Sequence, residues 1–182
     1  ELISAFVDSI LQPLVTNLPT YIKDTNHALN LLEDFRFKPD AVTHTLFTMD
    51  VVSLYTNIPH GDGLQALKHF LAKSTTKVDH TVILRLAELV LNLNGFQFQD
   101  SHFNQQRGVA MGTKMGPSFA CLFVGYVEEK AFQEYKGEKP DLYRRFIDDC
   151  VGAASCPRKD VEDFIHFIAN YHPALKFTFE VS

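Results

Sequence analysis

The sequence predicts an α+β fold in which helices pack on one face of an antiparallel sheet. Three observations predict it. Short runs that alternate with period two (THTLFTMDVV, LYRRFIDDCVGAA, LKFTFEV) lie among segments whose apolar residues recur at helical spacing. Their order is strand, helices, hairpin, helix, hairpin, helix and strand, not the regular strand-helix alternation of a parallel sheet. No repeat, low-complexity segment or Gly/Ser linker divides the 182 residues, which read as one domain.

In THTLFTMDVV, Phe47, Met49 and Val51 fall on one face and Leu46, Thr48 and Asp50 on the other, so this strand is buried on at least one side and Asp50 sits near its end. Pro59, Gly61 and Gly63 then break the chain, and Leu64, Leu67 and Leu71 predict a helix to about Lys73. HTVILRLAELVLNL predicts a second helix with Ile83, Leu86, Val90 and Leu93 on a wide apolar face. Asn94, Gly95 and Phe96 favour a turn, and FQFQDSHFNQQRGVAM alternates well enough for a hairpin. Pro117 opens a third helix, SFACLFVGYVEEKAF. LYRRFIDDCVGAA reads as strand, tight acidic turn and strand. PRKDVEDFIHFIANYHP reads as a helix with Val161, Phe164, Ile165 and Ile168 inward and Pro173 as its stop, leading into the strand LKFTFEV.

Hydrophobic residues make up 46% of the chain and aromatic ones 12%, enough to bury a core. Cys121, Cys150 and Cys156 are odd in number and lack a C-x-x-C spacing, which points away from a disulfide framework or a zinc site and toward a reducing, intracellular compartment, nucleus or cytoplasm. No apolar run reaches the roughly 20 residues of a membrane span, and ELISAFVDSILQPLV lacks the basic start of a signal peptide. A start without Met and a stop inside an apparent strand suggest a piece of something longer. A net charge of −5 disfavours nucleic-acid binding by this piece alone.

The adjacent acids Asp148 and Asp149, behind Phe146 and Ile147, pose the chemical question. The dipeptide alone reads first as a polar turn and is weak evidence of a site. Two carboxylates on a rigid turn repel each other, however, and a divalent cation relieves that repulsion; Mg²⁺ in particular is held by one or two carboxylates, waters and substrate phosphates. Asp50 is the candidate third acid, although a strand-end Asp also serves as a cap.

Three segments taken together sharpen the reading. MDVVSLY places an aromatic, Tyr55, five residues after Asp50; GVAMGTKMGPSFA is a glycine-rich loop entering a helix; YRRFIDDC presents an aromatic, a spacer and two acids. In this order and spacing the chain resembles the palm of a reverse transcriptase, the three stretches being similar to that family's motifs A, B and C. DVVSLYTNIP, the Q-x-x-G-x-A-M-G form at Gln105 to Gly112, RFIDD and the leading LPTYIKDTNHAL look most like Penelope-like retroelements.

The resemblance implies a polymerase palm with partial fingers, residues 1–42 forming the lead-in and 43–182 the palm, with a fingers-type insertion at about 74–110. It implies an RNA-directed DNA polymerase using two Mg²⁺ ions, or Mn²⁺, with an RNA template, a DNA primer and deoxynucleoside triphosphates as partners. By position, Asp50, Asp148 and Asp149 would be the catalytic metal ligands, together with the carbonyl of Val51. Tyr55 would lie beneath the sugar and reject a ribose 2′-hydroxyl, with core packing as its plain alternative. Gly112 would let the backbone approach the nucleotide. Met111 replaces the Gln found in many relatives, so an apolar contact is expected there. Lys114 would reach phosphate or template, and Lys176 stands loosely where the family places a proton donor.

Of Arg144 and Arg145, adjacent on a strand, at most one can face a primer backbone. The histidines show no ligand spacing. No basic triphosphate-gripping segment, thumb or nuclease is visible, so a non-catalytic remnant acting as a binding module is the rival reading and an RNA-templated RNA polymerase a second. The isolated piece is expected to fold without polymerising. The oligomeric state stays open.

Overall fold

In chain order the elements are α1 (Leu2–Thr16), α2 (Thr25–Asp34), β1 (Thr45–Val51), α3 (Leu54–Asn57), α4 (His60–Ala72), α5 (His80–Asn92), β2 (Gly95–Phe98), β3 (Ser101–Asn104), α6 (Gly116–Glu134), β4 (Leu142–Phe146), β5 (Asp149–Ala154), α7 (Arg158–Tyr171) and β6 (Phe177–Val181). The computed structural model describes residues 1–182, the side chain of Phe96 excepted. Backbone contacts divide the chain into two units, one of Glu1–Leu18 with Ser53–Tyr126 and one of Pro19–Val52 with Val127–Ser182. The expected lead-in at 1–42 is thus shared between the units.

The second unit is built on a four-stranded antiparallel sheet of order β4-β5-β1-β6. Alternation in β1 is realised residue by residue: Thr45, Phe47, Met49 and Val51 are buried, whereas Leu46 and Thr48 are exposed and Asp50 half-buried. Phe47 and Met49 meet Phe164, Ile165 and Ile168 of α7 in the core on one side of the sheet, with Ala131 from the end of α6. The stripe read from the sequence of α7, Val161, Phe164, Ile165 and Ile168, is buried in full. Each such side chain contributes roughly 1.5–3 kcal/mol on leaving water. Phe164 also sets its ring edge-on to Phe47, Phe132, Tyr135 and Tyr143. Helix α2, capped by the Asp24 carboxylate accepting from the His27 N–H, buries none of its residues. Its apolar positions Ala28, Leu31 and Leu32 recur at helical spacing, but the sequence reading did not take them as a helix.

The first unit is mainly helical. Helix α1, which the sequence reading did not anticipate, buries Val7, Leu11 and Val15 at four-residue spacing around Pro13. Helix α4 buries Leu67 and Leu71 as expected. Helix α5 forms where predicted but turns a different stripe inward, Ile83, Ala87 and Leu91, leaving Leu86 and Val90 half-buried and Leu93 exposed. Its apolar residues cover a broad arc opposite Thr81, Arg85, Glu88 and Asn92, and packing chose which stripe within that arc is buried. The predicted hairpin ends at Asn104. Beyond it the Gly108 N–H donates to the Ile58 carbonyl and the Val109 N–H to the Tyr55 carbonyl, so residues 105–111 fold against the α3 segment instead of extending β3. Gly108 is at φ +76°, and a Cβ there would strike the backbone of Tyr55 and Thr56, so only glycine fits. Among the described residues no helix is long and apolar enough to cross a membrane.

Candidate active site

The acidic pair of the sequence is shaped by a two-residue hairpin loop. Phe146 pairs with Asp149, which leaves Ile147 and Asp148 as the whole connection between β4 and β5. Ile147 carries φ +56°, a left-handed conformation that hairpin turns demand at their first loop position and usually fill with glycine. For a β-branched residue this is a strained backbone, costing on the order of 1–2 kcal/mol. Two hydrogen bonds hold it: the Val51 N–H donates to the Asp148 carbonyl at 3.1 Å, and Arg145 Nη1 donates to the Ile147 carbonyl at 2.7 Å.

Asp50 on β1 stands directly across from Asp149 on β5. Because the bond next to them runs from Val51 to Asp148, Asp50 and Asp149 form a non-hydrogen-bonded pair, the kind that brings opposite side chains closest, with Cβ atoms about 4.5–5.5 Å apart. Both project from the face of the sheet away from α7, and Asp148 occupies the hairpin tip beside them. Burial, and then the negative charges of Asp148 and Asp50, push the Asp149 carboxyl above the usual carboxylate range. The three acids therefore feel one another.

A groove of about 670 Å³ opens over this face, between the sheet and the start of α2. Its charged lining residues, Asp24, Asp50, Asp149 and Glu180, are all acidic. Such a groove repels phosphate unless a cation intervenes. The donor set fits a hard divalent cation: it is all carboxylate oxygen, it is electrostatically strained without one, and it is open. Among the described residues no three His, Cys, Asp or Glu side chains close around a point. An open carboxylate set of this kind is the sort that fits Mg²⁺, which keeps waters and takes substrate phosphates as ligands. The carbonyl of Val51 points toward the same hairpin, since its N–H already does.

The remaining candidates are placed as follows. Lys176 is exposed immediately before β6, its carbonyl accepting from the Val52 N–H. In the other unit, Tyr55 is half-buried beside the glycine-rich loop, its ring edge toward Gly116. Met111, Gly112 and Lys114 are exposed in that loop and line a separate cavity of about 410 Å³ with residues of α1 and α5. Gly112, at φ +93°, has open space around it.

The basic pair splits between the two faces of β4, as alternation requires, and Arg145 takes the buried side. It is 2% exposed and turned inward, with Nε 2.8 Å from Glu128 Oε1 and Nη2 3.1 Å from Oε2. Arg144 alternates to the opposite face, half-buried, with Nη1 on the Tyr143 carbonyl. Glu128 was missed altogether. The available signal was an acid inside the apolar run LFVGYVEEKAF, which needs a buried cation, and the strand pair Arg144 and Arg145 offered one.

No protein-family model and no curated protein matches the chain. Solved structures do. Telomerase from Candida tropicalis in complex with a TWJ fragment of telomeric RNA superposes with a TM-score of 0.77 at 13% identity, over 97% of this chain and 33% of that one. Its counterpart from Candida albicans, also with a TWJ fragment, gives 0.72 at 12% identity over 100% and 34%. The BmCPV RNA-dependent RNA polymerase at quiescent state gives 0.68 at 11% identity over 100% and 18%. The chain has a reverse-transcriptase and polymerase-like fold. The chain spans about a third of the telomerases and under a fifth of the viral polymerase that it matches.

Proposed function

We propose that the chain is the palm and part of the fingers of a retroelement reverse transcriptase, an RNA-directed DNA polymerase, most similar to the Penelope-like group. The observation that carries this reading is the directly opposed Asp50 and Asp149, with Asp148 at the adjoining hairpin tip, on the open face of a polymerase-like sheet.

In the reaction the primer 3′-oxygen bonds to the α-phosphorus of a deoxynucleoside triphosphate, the bond from that phosphorus to the bridging oxygen breaks, and pyrophosphate leaves with the electron pair. Asp50 and Asp148, supported by Asp149 and the Val51 carbonyl, would hold two Mg²⁺ ions. When bound, these supply positive charge that promotes ionisation of the attacking hydroxyl and offsets charge on the leaving oxygen. The protein's own task is placement, and a strand end facing a two-residue hairpin is more rigid than a long loop. Tyr55 would exclude the ribose 2′-hydroxyl, Met111 and Gly112 would border the nucleotide, Lys114 would meet phosphate, and Lys176 would protonate the leaving pyrophosphate. Template and primer would be held by segments outside this acidic piece.

Primer extension on an RNA template tests the reading, comparing the full-length protein, the same protein carrying Asp148→Asn, and residues 1–182 alone. Extension by the full-length protein that falls by at least about 1,000-fold with Asp148→Asn is expected, as for loss of a principal electrostatic group. Activity surviving Asp148→Asn would overturn the assignment. Preference for ribonucleotides would favour the RNA-polymerase reading that the viral structural neighbours suggest.

A further inference from the structure

Asp148 and Asp149 sit on a turn whose backbone is strained, and the side chain nearest that turn is a buried cation whose role no catalytic motif supplies. We propose that Arg145 and Glu128 act as a positioning clamp for the Ile147–Asp148 hairpin loop, holding it against its own strain and the repulsion of its acids through the Ile147 carbonyl. This inference rests on the polymerase reading above.

The clamp is complete in its hydrogen bonding. Glu128 is 3% exposed and accepts four bonds, two from the Arg145 guanidinium, one from the Tyr143 hydroxyl at 2.9 Å and one from the Thr20 hydroxyl at 2.8 Å. Four is about the full capacity of a carboxylate. The Arg145 backbone is also fixed: its N–H donates to the Thr20 carbonyl at 2.6 Å and its carbonyl accepts from the Ile22 N–H at 2.8 Å. With its backbone fixed and its Nε and Nη2 on Glu128, the guanidinium donates through Nη1 to the Ile147 carbonyl. Lysine could pair with Glu128 but could not make the fork and reach the turn together.

Stability alone does not account for such an arrangement. A buried ion pair repays its desolvation poorly, and well-packed apolar replacements are often neutral or better. Nor is the clamp a contact to substrate, since Arg145 faces the core while Asp50 and Asp149 project from the opposite face. What the pair does that apolar side chains cannot do is donate to the peptide between Ile147 and Asp148, the one unit whose orientation sets where the Asp148 carboxylate starts.

The test uses the full-length protein with Arg145→Met combined with Glu128→Met, and separately with Arg145→Lys. Backbone amide exchange over Phe146–Cys150 is read beside kcat and KM for deoxynucleotide. The expected result for the apolar double variant is a Tm within a few degrees of the parent, hairpin exchange at least ten-fold faster with α7 unchanged, and kcat reduced about 10–100-fold with KM little altered, the signature of misplaced reacting groups. Arg145→Lys, which keeps charge and fold, should show the same fast exchange and low kcat. Unchanged hairpin exchange in either folded variant would overturn the clamp, as would wild-type kcat. If the unmodified protein fails to extend a primer, the polymerase reading falls and the exchange measurement still decides whether Arg145 holds the turn.

Discussion

Asp149 faces Asp50 across the β5 and β1 ladder at the closest kind of antiparallel position, with no basic side chain among the residues lining the groove around them. Like charges so placed destabilise a sheet by a few tenths of a kcal/mol up to about 1 kcal/mol. Asp149→Asn should therefore raise the unfolding free energy by about 0.5 kcal/mol in chelator, and the gain should shrink when Mg²⁺ is added. Denaturant unfolding measures both. A loss of stability would mean that Asp149 is held by favourable contacts and not by strain.

Tyr55 lies in α3, packed against the glycine-rich loop, its carbonyl bonded to Val109 and its ring near Gly116. In the full-length protein Tyr55→Ala should lower deoxynucleotide-over-ribonucleotide discrimination by at least about 10-fold, the factor set by removing one repulsive contact worth some 1.4 kcal/mol. Competing incorporation assays read it directly. Unaltered discrimination together with a lowered Tm would assign the ring to packing.

Gly152 pairs with Phe47 across β5 and β1, and a Cβ on Gly152 would overlap the Phe47 ring. That ring is enclosed by Tyr143 and Phe164. Gly152→Ala should destabilise the protein by about 1–3 kcal/mol through overpacking, and Phe47→Leu in the same chain should recover part of the loss. Equilibrium unfolding of the single and double variants tests this, additive losses being the result that would reject it.

Lys38 bridges to Asp141 at 3.1 Å, and the Asp141 carboxylate also accepts from the Ser155 N–H at 2.6 Å. Burial raises the Asp141 carboxyl, but the Ser155 and Lys38 hydrogen bonds outweigh it, so it ends below its usual value of 3.8; Lys38 is raised above 10.5, chiefly by its bond to Asp141. A lowered carboxyl stabilises the fold above about pH 4 and loses that contribution as pH falls through its folded value. A raised ammonium stabilises below about pH 10.5 and loses its contribution as pH rises through its folded value. Asp141→Asn should thus give a small Tm decrease between those limits, as for a surface pair, and the decrease should shrink as pH falls through the folded value of Asp141. A decrease unchanged at every pH down to acid unfolding would place the effect in packing.

Several features were legible in residue order because they follow from local geometry. The period of two in THTLFTMDVV sorted Phe47, Met49 and Val51 from Leu46, Thr48 and Asp50, and the 3.6-residue period in α7 marked Val161, Phe164, Ile165 and Ile168 as its inward stripe. Two acids between apolar strands marked the hairpin, and the spacing of its neighbours marked the polymerase-like fold. Other features depended on which surfaces met. Helix α5 has a broad apolar arc, so its buried stripe was settled by its neighbours; α1 carries Leu2, Ile3, Phe6, Val7, Ile10, Leu11, Leu14 and Val15 at helical spacing and was legible, but its internal Pro13 reads as a helix break. That Asp149 lies opposite Asp50 depends on how β5 pairs with β1, because alternation within one strand fixes which face a side chain takes and not which residue stands across from it. The same is true of Arg145: alternation put Arg144 and Arg145 on opposite faces, but only the arrival of Glu128, 17 residues earlier in the chain, decided which guanidinium was buried and gave it an acceptor. Periodicity records what each segment can bury by itself, whereas a buried charge is tolerable only where another segment brings its partner, and that meeting exists only in the folded chain.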